Sequence, residues 1–306
     1  MKKKIVFMGT PKFSVPILEV LIKSDYSVEC VYTQPPQKSS RGQKIKPSPI
    51  ELVAKKYKLK IRSPRNLNTE EEYNFLNSMK PFLVIVVAYG KIIPKKFLEL
   101  SEKGFLNIHA SLLPKWRGAA PIQRSILNKD KETGISFMKI EEKLDEGPFM
   151  KQIKVKINHQ TTSLELSKKL SFLSAKNIIE AIKLIESDKA IFHNQNNDEV
   201  SYAYKIKKKE AKIIWSKSAL DVISQINGLN PSPGAWFEYE NSRFKIWKAE
   251  ISELSGKPGR VLNDELTIAC KDKSIKILEI QKEGKNKLHV NDFLSGNKII
   301  KNKTII

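Results

Sequence analysis

The 306-residue sequence contains only two cysteines and four histidines. Cys30 and Cys270 are too few and too far apart for a disulfide framework, which favours a reducing compartment such as the cytoplasm. The histidines have no partners at HExxH, HxE or CxxC spacing. The pattern therefore predicts no metal site, because a zinc site would have to be assembled from distant single residues.

Long hydrophobic runs are also missing. The longest one, residues 82–89, is far shorter than the roughly 20 residues that a membrane helix needs. The basic N-terminus resembles the start of a signal peptide, but the apolar stretch stops at Gly9, before a hydrophobic region of about 7–15 residues can form. We therefore expect a soluble, cytoplasmic protein without a membrane span.

Glycine-rich nucleotide motifs are absent as well. The turn after the first predicted strand, Gly9-Thr10-Pro11, has one glycine, where a dinucleotide fingerprint needs several for close approach to a pyrophosphate. The sequence contains no GxxxxGK[ST] motif either. These absences argue against NAD, FAD and P-loop nucleotide sites.

Acidic residues are in short supply: 55 Lys and Arg face 33 Asp and Glu, which gives a net charge of +22. Only seven of the basic residues are arginine, so solvated lysines from AT-rich coding are one explanation. The other is a polyanionic partner such as nucleic acid. The distribution favours the partner, because residues 38–65 hold ten basic residues and one acidic residue.

Strand and helix patterns alternate along the first two thirds of the chain. Residues 82–88 are apolar on both faces, as in a parallel strand covered by helices on both sides. Other strands are predicted at residues 4–8, 28–33, 104–109, 135–141 and 152–156. Helices are predicted near residues 13–22 and at 50–57, 69–79, 119–128 and 162–187. The proline-rich residues 34–49 are predicted to form a long loop. The alternation predicts an α/β, doubly wound, Rossmann-like domain over residues 1–203.

The pattern changes in the last third of the chain. Residues 202–209 are predicted as a linker and residues 218–227 as a helix. Short strands are then predicted at residues 235–239, 244–250, 259–261, 266–270 and 275–281. These strands predict a C-terminal β-barrel of the OB type over residues 204–306, with the linker included.

The most informative motif surrounds the end of the strand at residues 104–109. Strand alternation places Asn107 and His109 on one face, at the edge where open α/β sheets bind ligands. An amide and an imidazole in this position can stabilise a carbonyl oxygen that gains negative charge. Asp145, in a turn after a later strand, can orient the imidazole. The alternative is a structural histidine and an ordinary turn aspartate.

Three motifs together resemble the folate-dependent formyltransferases: Asn-x-His at 107–109, Ser-Leu-Leu-Pro-x-x-Arg-Gly-x-x-Pro-Ile at 111–122, and Leu-Asp-x-Gly-Pro at 144–148. Over its whole length the chain is similar to the members that act on initiator methionyl-tRNA. The resemblance implies 10-formyltetrahydrofolate as the formyl donor and no metal. It implies a catalytic role for Asn107, His109 and Asp145. It assigns the folate contacts to Ser111, Leu112, Leu113 and Pro114.

The same resemblance gives the basic insertion a partner, the acceptor stem of the initiator tRNA. The residues expected to contact it are Lys38, Arg41, Lys44 and Lys46. Arg41 is expected to be the most specific of them, because a guanidinium pairs two acceptors at once, whereas lysine acts as a point charge. The lysines would supply phosphate contacts that hold register without reading sequence.

Other functions fit the sequence less well. A formyltransferase acting on a purine intermediate or an amino-sugar nucleotide keeps the same three residues but has no evident need for the basic insertion. A folate-binding hydrolase domain would be followed by a dehydrogenase, and a non-catalytic RNA-binding protein has no use for the Asn-x-His motif. We expect a monomer that formylates methionyl-tRNA. The proton of the attacking amine can pass to His109 or to a water held by Asp145, and the sequence leaves both open.

Overall fold

The computed structural model describes residues 2–39, 44–297, 299 and 301–305. The chain divides into two compact units. The first comprises Met1–Pro121, Gly134–Val155 and Ser167–Ala203. The second comprises Ile122–Thr133, Lys156–Leu166 and Tyr204–Ile306. The second unit thus takes in two short segments from earlier in the chain, and a domain boundary after residue 203 stays a prediction.

A seven-stranded sheet forms the centre of the first unit. The strands up to residue 203 are β1 (Lys4–Gly9), β2 (Ser27–Tyr32), β3 (Gln37–Ser39), β4 (Lys44–Lys46), β5 (Lys60–Arg62), β6 (Leu83–Val87), β7 (Phe105–His109), β8 (Arg117–Gly118), β9 (Glu132–Lys139), β10 (Phe149–Lys156) and β11 (Tyr202–Ala203). The order in the sheet is β10-β9-β7-β6-β1-β2-β5, with β1 near the middle. Strands β7, β6, β1, β2 and β5 are parallel, whereas β9 is antiparallel to β7. The sheet is therefore mixed, and the predicted Rossmann-like α/β fold is confirmed.

Some of the helices of this part of the chain begin at residues whose side chains cap them. They are α1 (Val15–Ile22), α2 (Pro49–Lys56), α3 (Glu70–Met79), α4 (Lys95–Leu98), α5 (Pro121–Leu127) and α6 (Ser163–Glu186). The Ser48 side chain accepts a hydrogen bond from the amide of Glu51, and Pro49 occupies the first position of α2, where no donor is needed. Thr69 caps α3 in the same way. None of the described helices is long and apolar enough to cross a membrane.

The predicted loop over residues 34–49 is wrong in part, because it contains the antiparallel pair β3–β4. Gln37 pairs with Lys46, and Ser39 with Lys44. Each strand is only three residues long, so neither shows enough alternation for a strand to be recognised from its sequence. The short strand β5 escapes prediction for the same reason.

The second unit contains a curled antiparallel sheet. Its strands are β12 (Trp236–Tyr239), β13 (Ser242–Ser252), β14 (Thr267–Ala269), β15 (Ser274–Lys282) and β16 (Leu288–His289), and its C-terminal helices are α7 (Ala219–Gly228) and α8 (Val290–Gly296). The order is β12-β13-β15-β14, with β16 also paired to β15. The predicted barrel-like second domain is confirmed as a half-barrel. Residues 259–261, predicted as a strand, form only isolated bridges.

Aromatic side chains fill the interior of the curled sheet. Phe237 stacks on Phe244 with ring centroids 5.5 Å apart, and Trp215 and Phe293 meet these rings edge to face. All four side chains belong to one buried cluster. Offset and edge-to-face rings combine a large buried apolar area with favourable ring electrostatics. This packing gives the second unit a hydrophobic core of its own.

Both cysteines should be unreactive in the folded protein. Burial raises the pKa of the Cys30 thiol to about 12, and that of Cys270 to about 12 as well. Thiolate is the reactive form, so at pH 8 we expect alkylation on the order of 10³ slower than for exposed cysteines. Mass spectrometry after an iodoacetamide time course would measure this, with protein unfolded in urea as the control. Rapid alkylation of either thiol in the folded protein would contradict the prediction.

Candidate active site

Asn107 and His109 lie at the end of β7, which is placed between β6 and β9 in the sheet. Alternate residues of a strand face the same side, so the two polar side chains share one face at the carboxyl edge. Asn107 is half-buried, and its side-chain amide makes no hydrogen bond within the described residues. A half-buried amide without a partner is available to bind a carbonyl group of a substrate.

Two protein oxygens define the chemistry of the His109 ring. The Nε2 atom lies 2.9 Å from the main-chain oxygen of Trp116, and Nδ1 lies 3.7 Å from Oδ2 of Asp145. A carbonyl oxygen only accepts hydrogen bonds, so Nε2 is the donor and carries the proton of the neutral ring. The basic nitrogen is therefore Nδ1, which faces a carboxylate. A proton accepted there would create an ion pair with Asp145.

Asp145 lies in a turn, and one of its two carboxylate oxygens is held by a hydrogen bond. The main-chain amide of Gly118 donates a hydrogen bond of 2.8 Å to Oδ2, the oxygen nearer to His109. The other oxygen, Oδ1, has no hydrogen-bond partner in the described part of the chain. The carboxylate thus places one oxygen beside the His109 ring and leaves the other for an N–H or O–H group of a ligand.

The predicted folate segment follows β7 directly, but its backbone is less open than its proline suggests. Ser136 Oγ receives a hydrogen bond from the Leu113 amide (3.1 Å) and donates one to the Ser111 carbonyl (2.7 Å). Gln152 Nε2 donates to the Leu113 carbonyl at 2.8 Å. The residue before a proline is restricted to extended backbone, and from the sequence its amide and carbonyl would be expected to be free for a ligand. For Leu113 this expectation is wrong, because Ser136 and Gln152 occupy both groups. The role of the segment as a folate contact stays a prediction.

The predicted tRNA contacts cluster on the β3–β4 hairpin. Lys38 lies on β3, and Lys44 and Lys46 lie on β4, with Lys46 exposed. Arg41 lies outside the described residues. In the register of the two strands Lys38 lies opposite Ile45, Lys44 opposite Ser39 and Lys46 opposite Gln37, so all three lysines belong to one short antiparallel pair. Their contact with tRNA stays a prediction.

Sequence patterns missed several groups that shape the site. The Trp116 carbonyl and the Gly118 amide are main-chain groups, so the residue types in the sequence do not reveal their roles. Both residues adopt left-handed φ values, +63° for Trp116 and +115° for Gly118. Glycine adopts such φ values readily, so of these two residues Gly118 is the one whose unusual backbone could have been suspected from the sequence. Among the described residues, no three His, Cys, Asp or Glu side chains are grouped so as to hold a metal ion.

Two stretches of the chain match known protein families. Residues 2–182 match the family described as formyl transferase, and residues 205–298 match the formyl transferase C-terminal domain. The chain is 53% identical to the methionyl-tRNA formyltransferase of Pelagibacter ubique, over 100% of this chain and 99% of that protein. It is 43% identical to the methionyl-tRNA formyltransferase of Brucella melitensis biotype 2, over 97% of this chain and 99% of the relative.

Solved structures share the fold at low sequence identity. HypX from Aquifex aeolicus in complex with tetrahydrofolic acid aligns with a TM-score of 0.69 and 16% identity, over 99% of this chain and 49% of HypX. The sugar 3N-formyltransferase WlaRD aligns with a TM-score of 0.67 and 21% identity, over 94% of this chain and 100% of WlaRD. The two family matches together span most of the sequence. The structure has the α/β unit with Asn107 and His109 at one sheet edge, and the curled C-terminal sheet. The chain therefore belongs to the formyl transferase family.

Proposed function

We propose that this chain transfers the formyl group of 10-formyltetrahydrofolate to the α-amino group of initiator methionyl-tRNA, for translation initiation. The reaction type rests on one observation, the His109–Asp145 pair on the same sheet edge as the unpartnered amide of Asn107. The acceptor rests on the 53% identity to a methionyl-tRNA formyltransferase over the whole chain. We place the reaction in the cytoplasm and expect the protein to act as a monomer.

Asn107 supplies the electrostatic part of the reaction. When bound, the folate supplies a formyl group on N10, whose carbon the amine attacks and whose oxygen then gains negative charge. The amide of Asn107 fits that oxygen, because it is half-buried and has no hydrogen-bond partner in the described chain. A preorganised donor aimed at developing charge lowers the barrier without reorganisation. We assign this donation to Asn107 alone, because the Nε2–H of His109 is used by the Trp116 carbonyl and Nδ1 of the neutral ring carries no proton.

His109 and Asp145 supply the proton transfer. The attacking amine must lose a proton, and Nδ1 of His109 is the unprotonated nitrogen of the neutral ring. Asp145 Oδ2, 3.7 Å away, stabilises the imidazolium, and the Trp116 carbonyl holds the ring in place. Oδ1 of Asp145 can accept a hydrogen bond from the amine or from a water on the proton's path. In this scheme His109 is the base, and Asp145 orients and stabilises it. The imidazolium would then return the proton to N10 as the bond between N10 and the formyl carbon breaks, which leaves the ring neutral and the folate unformylated.

The folate is assigned to the segment Ser111–Pro114. This segment adjoins His109 in sequence, and Ser136 and Gln152 fix its backbone by hydrogen bonds of 2.7–3.1 Å. A rigid loop loses little conformational entropy when a ligand binds. Side chains and the backbone groups not used by Ser136 or Gln152 would therefore make the contacts, rather than the amide and carbonyl of Leu113.

Acceptor competition tests the proposal. The protein would be incubated with 10-formyltetrahydrofolate and, in parallel, methionyl-tRNA, an amino-sugar nucleotide and a purine ribotide. We expect formylation of methionyl-tRNA alone, detected by mass spectrometry of the released aminoacyl group. The His109→Ala variant serves as the control for uncatalysed transfer. Preferential formylation of either small acceptor would overturn the assignment of the acceptor, and no transfer to any of them would overturn the reaction.

Neutralising two lysines of the β3–β4 hairpin should weaken tRNA binding and its salt dependence. For the double variant Lys38→Gln/Lys44→Gln we expect the slope of log K against log salt to fall by about 0.7–0.9 for each lost phosphate contact. Filter binding across a salt series measures the slope. The matched control is Lys168→Gln/Lys169→Gln, which removes the same charge from exposed positions of α6. Equal slopes for both double variants would show that the hairpin acts only through net charge.

A further inference from the structure

One buried side chain, that of Gln195, holds the turn that carries Asp145. The Nε2 atom of Gln195 donates to the main-chain oxygen of Asp145 at 2.8 Å and to that of Gly147 at 2.8 Å. One amide group thus bridges two carbonyls that are two residues apart. Since Gln195 is 50 residues away in the sequence, a tertiary contact supports the turn in addition to its one long internal hydrogen bond, 3.5 Å from the Glu146 amide to the Lys143 carbonyl.

The backbone of this turn needs such support. Asp145 has a φ of +53°, in the left-handed region that residues with a Cβ rarely adopt. Gly147 packs so closely that a Cβ there would lie 2.1 Å from the Lys139 carbonyl oxygen. The turn is therefore a specific, disfavoured conformation in tight contact with β9. A conformation of this kind persists only when its surroundings over-determine it.

Gln195 is itself oriented by a buried arginine. Arg117 is 3% exposed, and its Nε donates to Oε1 of Gln195 at 3.0 Å. Its Nη1 lies 3.3 Å from Oε1 of Glu146, inside the same turn. The acceptor side of the Gln195 amide is thus committed to Arg117, which forces the donor side toward the turn. Arg117 fixes the rotamer of Gln195, and Gln195 fixes Asp145.

The two ends of Asp145 are held from the same short strand. Arg117 and Gly118 form β8, and the Gly118 amide donates to the Asp145 carboxylate at 2.8 Å. Arg117 acts on the Asp145 main chain through Gln195. The carboxylate and the main chain of Asp145 are therefore both held by contacts that start from β8. This double attachment sets the distance between Asp145 and His109.

We propose that Gln195 is a positioning residue for formyl transfer, which holds Asp145 in the orientation that stabilises a protonated His109. The proposal rests on the proposed function, because it needs Asp145 to act in the reaction. Gln195 itself contacts no substrate in this scheme. Its loss should lower kcat and leave both KM values nearly unchanged, because only the transition state depends on the placement of Asp145.

Two isosteric variants separate the contacts of Gln195. Gln195→Met removes all three hydrogen bonds, whereas Gln195→Glu keeps an acceptor for Arg117 and loses the donor to the turn. We expect both to lower kcat by about 10–10²-fold, in the range that a misplacement of about 1 Å produces. The matched control is Gln225→Met, since Gln225 likewise donates to two carbonyls, those of Glu210 (2.7 Å) and Lys212 (3.0 Å), within the second unit. It should keep wild-type kcat.

A double-mutant cycle with Asp145→Asn decides the proposal. We expect Gln195→Met to lower kcat by less than about 2-fold in the Asp145→Asn background, because a residue that acts through Asp145 has nothing left to position. Independent, multiplicative losses would overturn the positioning role while leaving the proposed function intact. Wild-type kcat for Gln195→Glu, or an equal loss in Gln225→Met, would also overturn it. Wild-type kcat for Asp145→Asn would overturn both the positioning role and the proposed role of Asp145.

Discussion

Replacing His109 by alanine should lower kcat by about 10²–10⁴-fold, the usual contribution of a positioned general base. The variant removes the ring nitrogen Nδ1, which lies 3.7 Å from Asp145 Oδ2, so the attacking amine loses its proton acceptor. Single-turnover formation of formyl-methionyl-tRNA, with both substrates saturating, measures the chemical step. We expect the amplitude to be retained and the rate constant to fall.

A second histidine provides the control for this result. His159→Ala changes an exposed residue of the second unit and should keep the wild-type rate. If His109→Ala raises KM with kcat unchanged, then His109 only binds substrate and the assignment of a base is wrong. A water held by Asp145 would then have to accept the proton, and Asp145→Asn would become the more damaging substitution of the two.

Replacing Asn107 by alanine should lower kcat by about 10²–10³-fold, as expected for the loss of one preorganised donor to developing negative charge. The amide has no hydrogen-bond partner in the described part of the chain, so its removal leaves no protein group unsatisfied. We therefore expect a nearly unchanged melting temperature beside the large kinetic loss. Steady-state kinetics with methionyl-tRNA and thermal unfolding measure the two quantities.

The nearly isosteric Asn107→Asp variant sharpens this test. It keeps the shape of the side chain but replaces the donor with a carboxylate, which would repel a negatively charged oxygen. We expect its kcat to be at least as low as that of Asn107→Ala. An Asn107→Asp variant as active as the wild type would show that Asn107 donates no hydrogen bond in the reaction.

Local patterns in the sequence were sufficient to predict the architecture and the residues at one edge of the site. The run at β6 is apolar on both faces because helices cover both sides of a parallel strand, and that requirement is visible in composition alone. Asn107 and His109 share a face because a strand has a period of two, so their placement follows once β7 is recognised. The alternation of strands and helices likewise predicts the α/β unit, and the short strands predict the curled sheet.

Strands too short to show a periodic sequence pattern could be identified only from their hydrogen-bond pairing in the structure. The β3–β4 hairpin has three residues in each strand, and prolines on both sides of it are typical of a loop. Its strands exist because each supplies the hydrogen-bond partners of the other. The same holds for the backbone of Leu113, which looks open from its place before a proline but is occupied by Ser136 and Gln152. Sequence periodicity carries no information on such partners.

The protonation geometry of the site was decided by tertiary structure alone. The tautomer of His109 depends on the Trp116 carbonyl, a main-chain group that every residue type possesses. The orientation of Asp145 depends on the Gly118 amide and on Gln195, which lie 27 residues before it and 50 residues after it. Periodicity reports which face of an element is buried, because burial repeats along the chain. A contact between groups dozens of residues apart depends instead on the order of strands in the sheet and on the path of the loops. The sequence therefore determined which residues reach the edge of the sheet, and the fold determined which nitrogen of His109 carries the proton of the neutral ring.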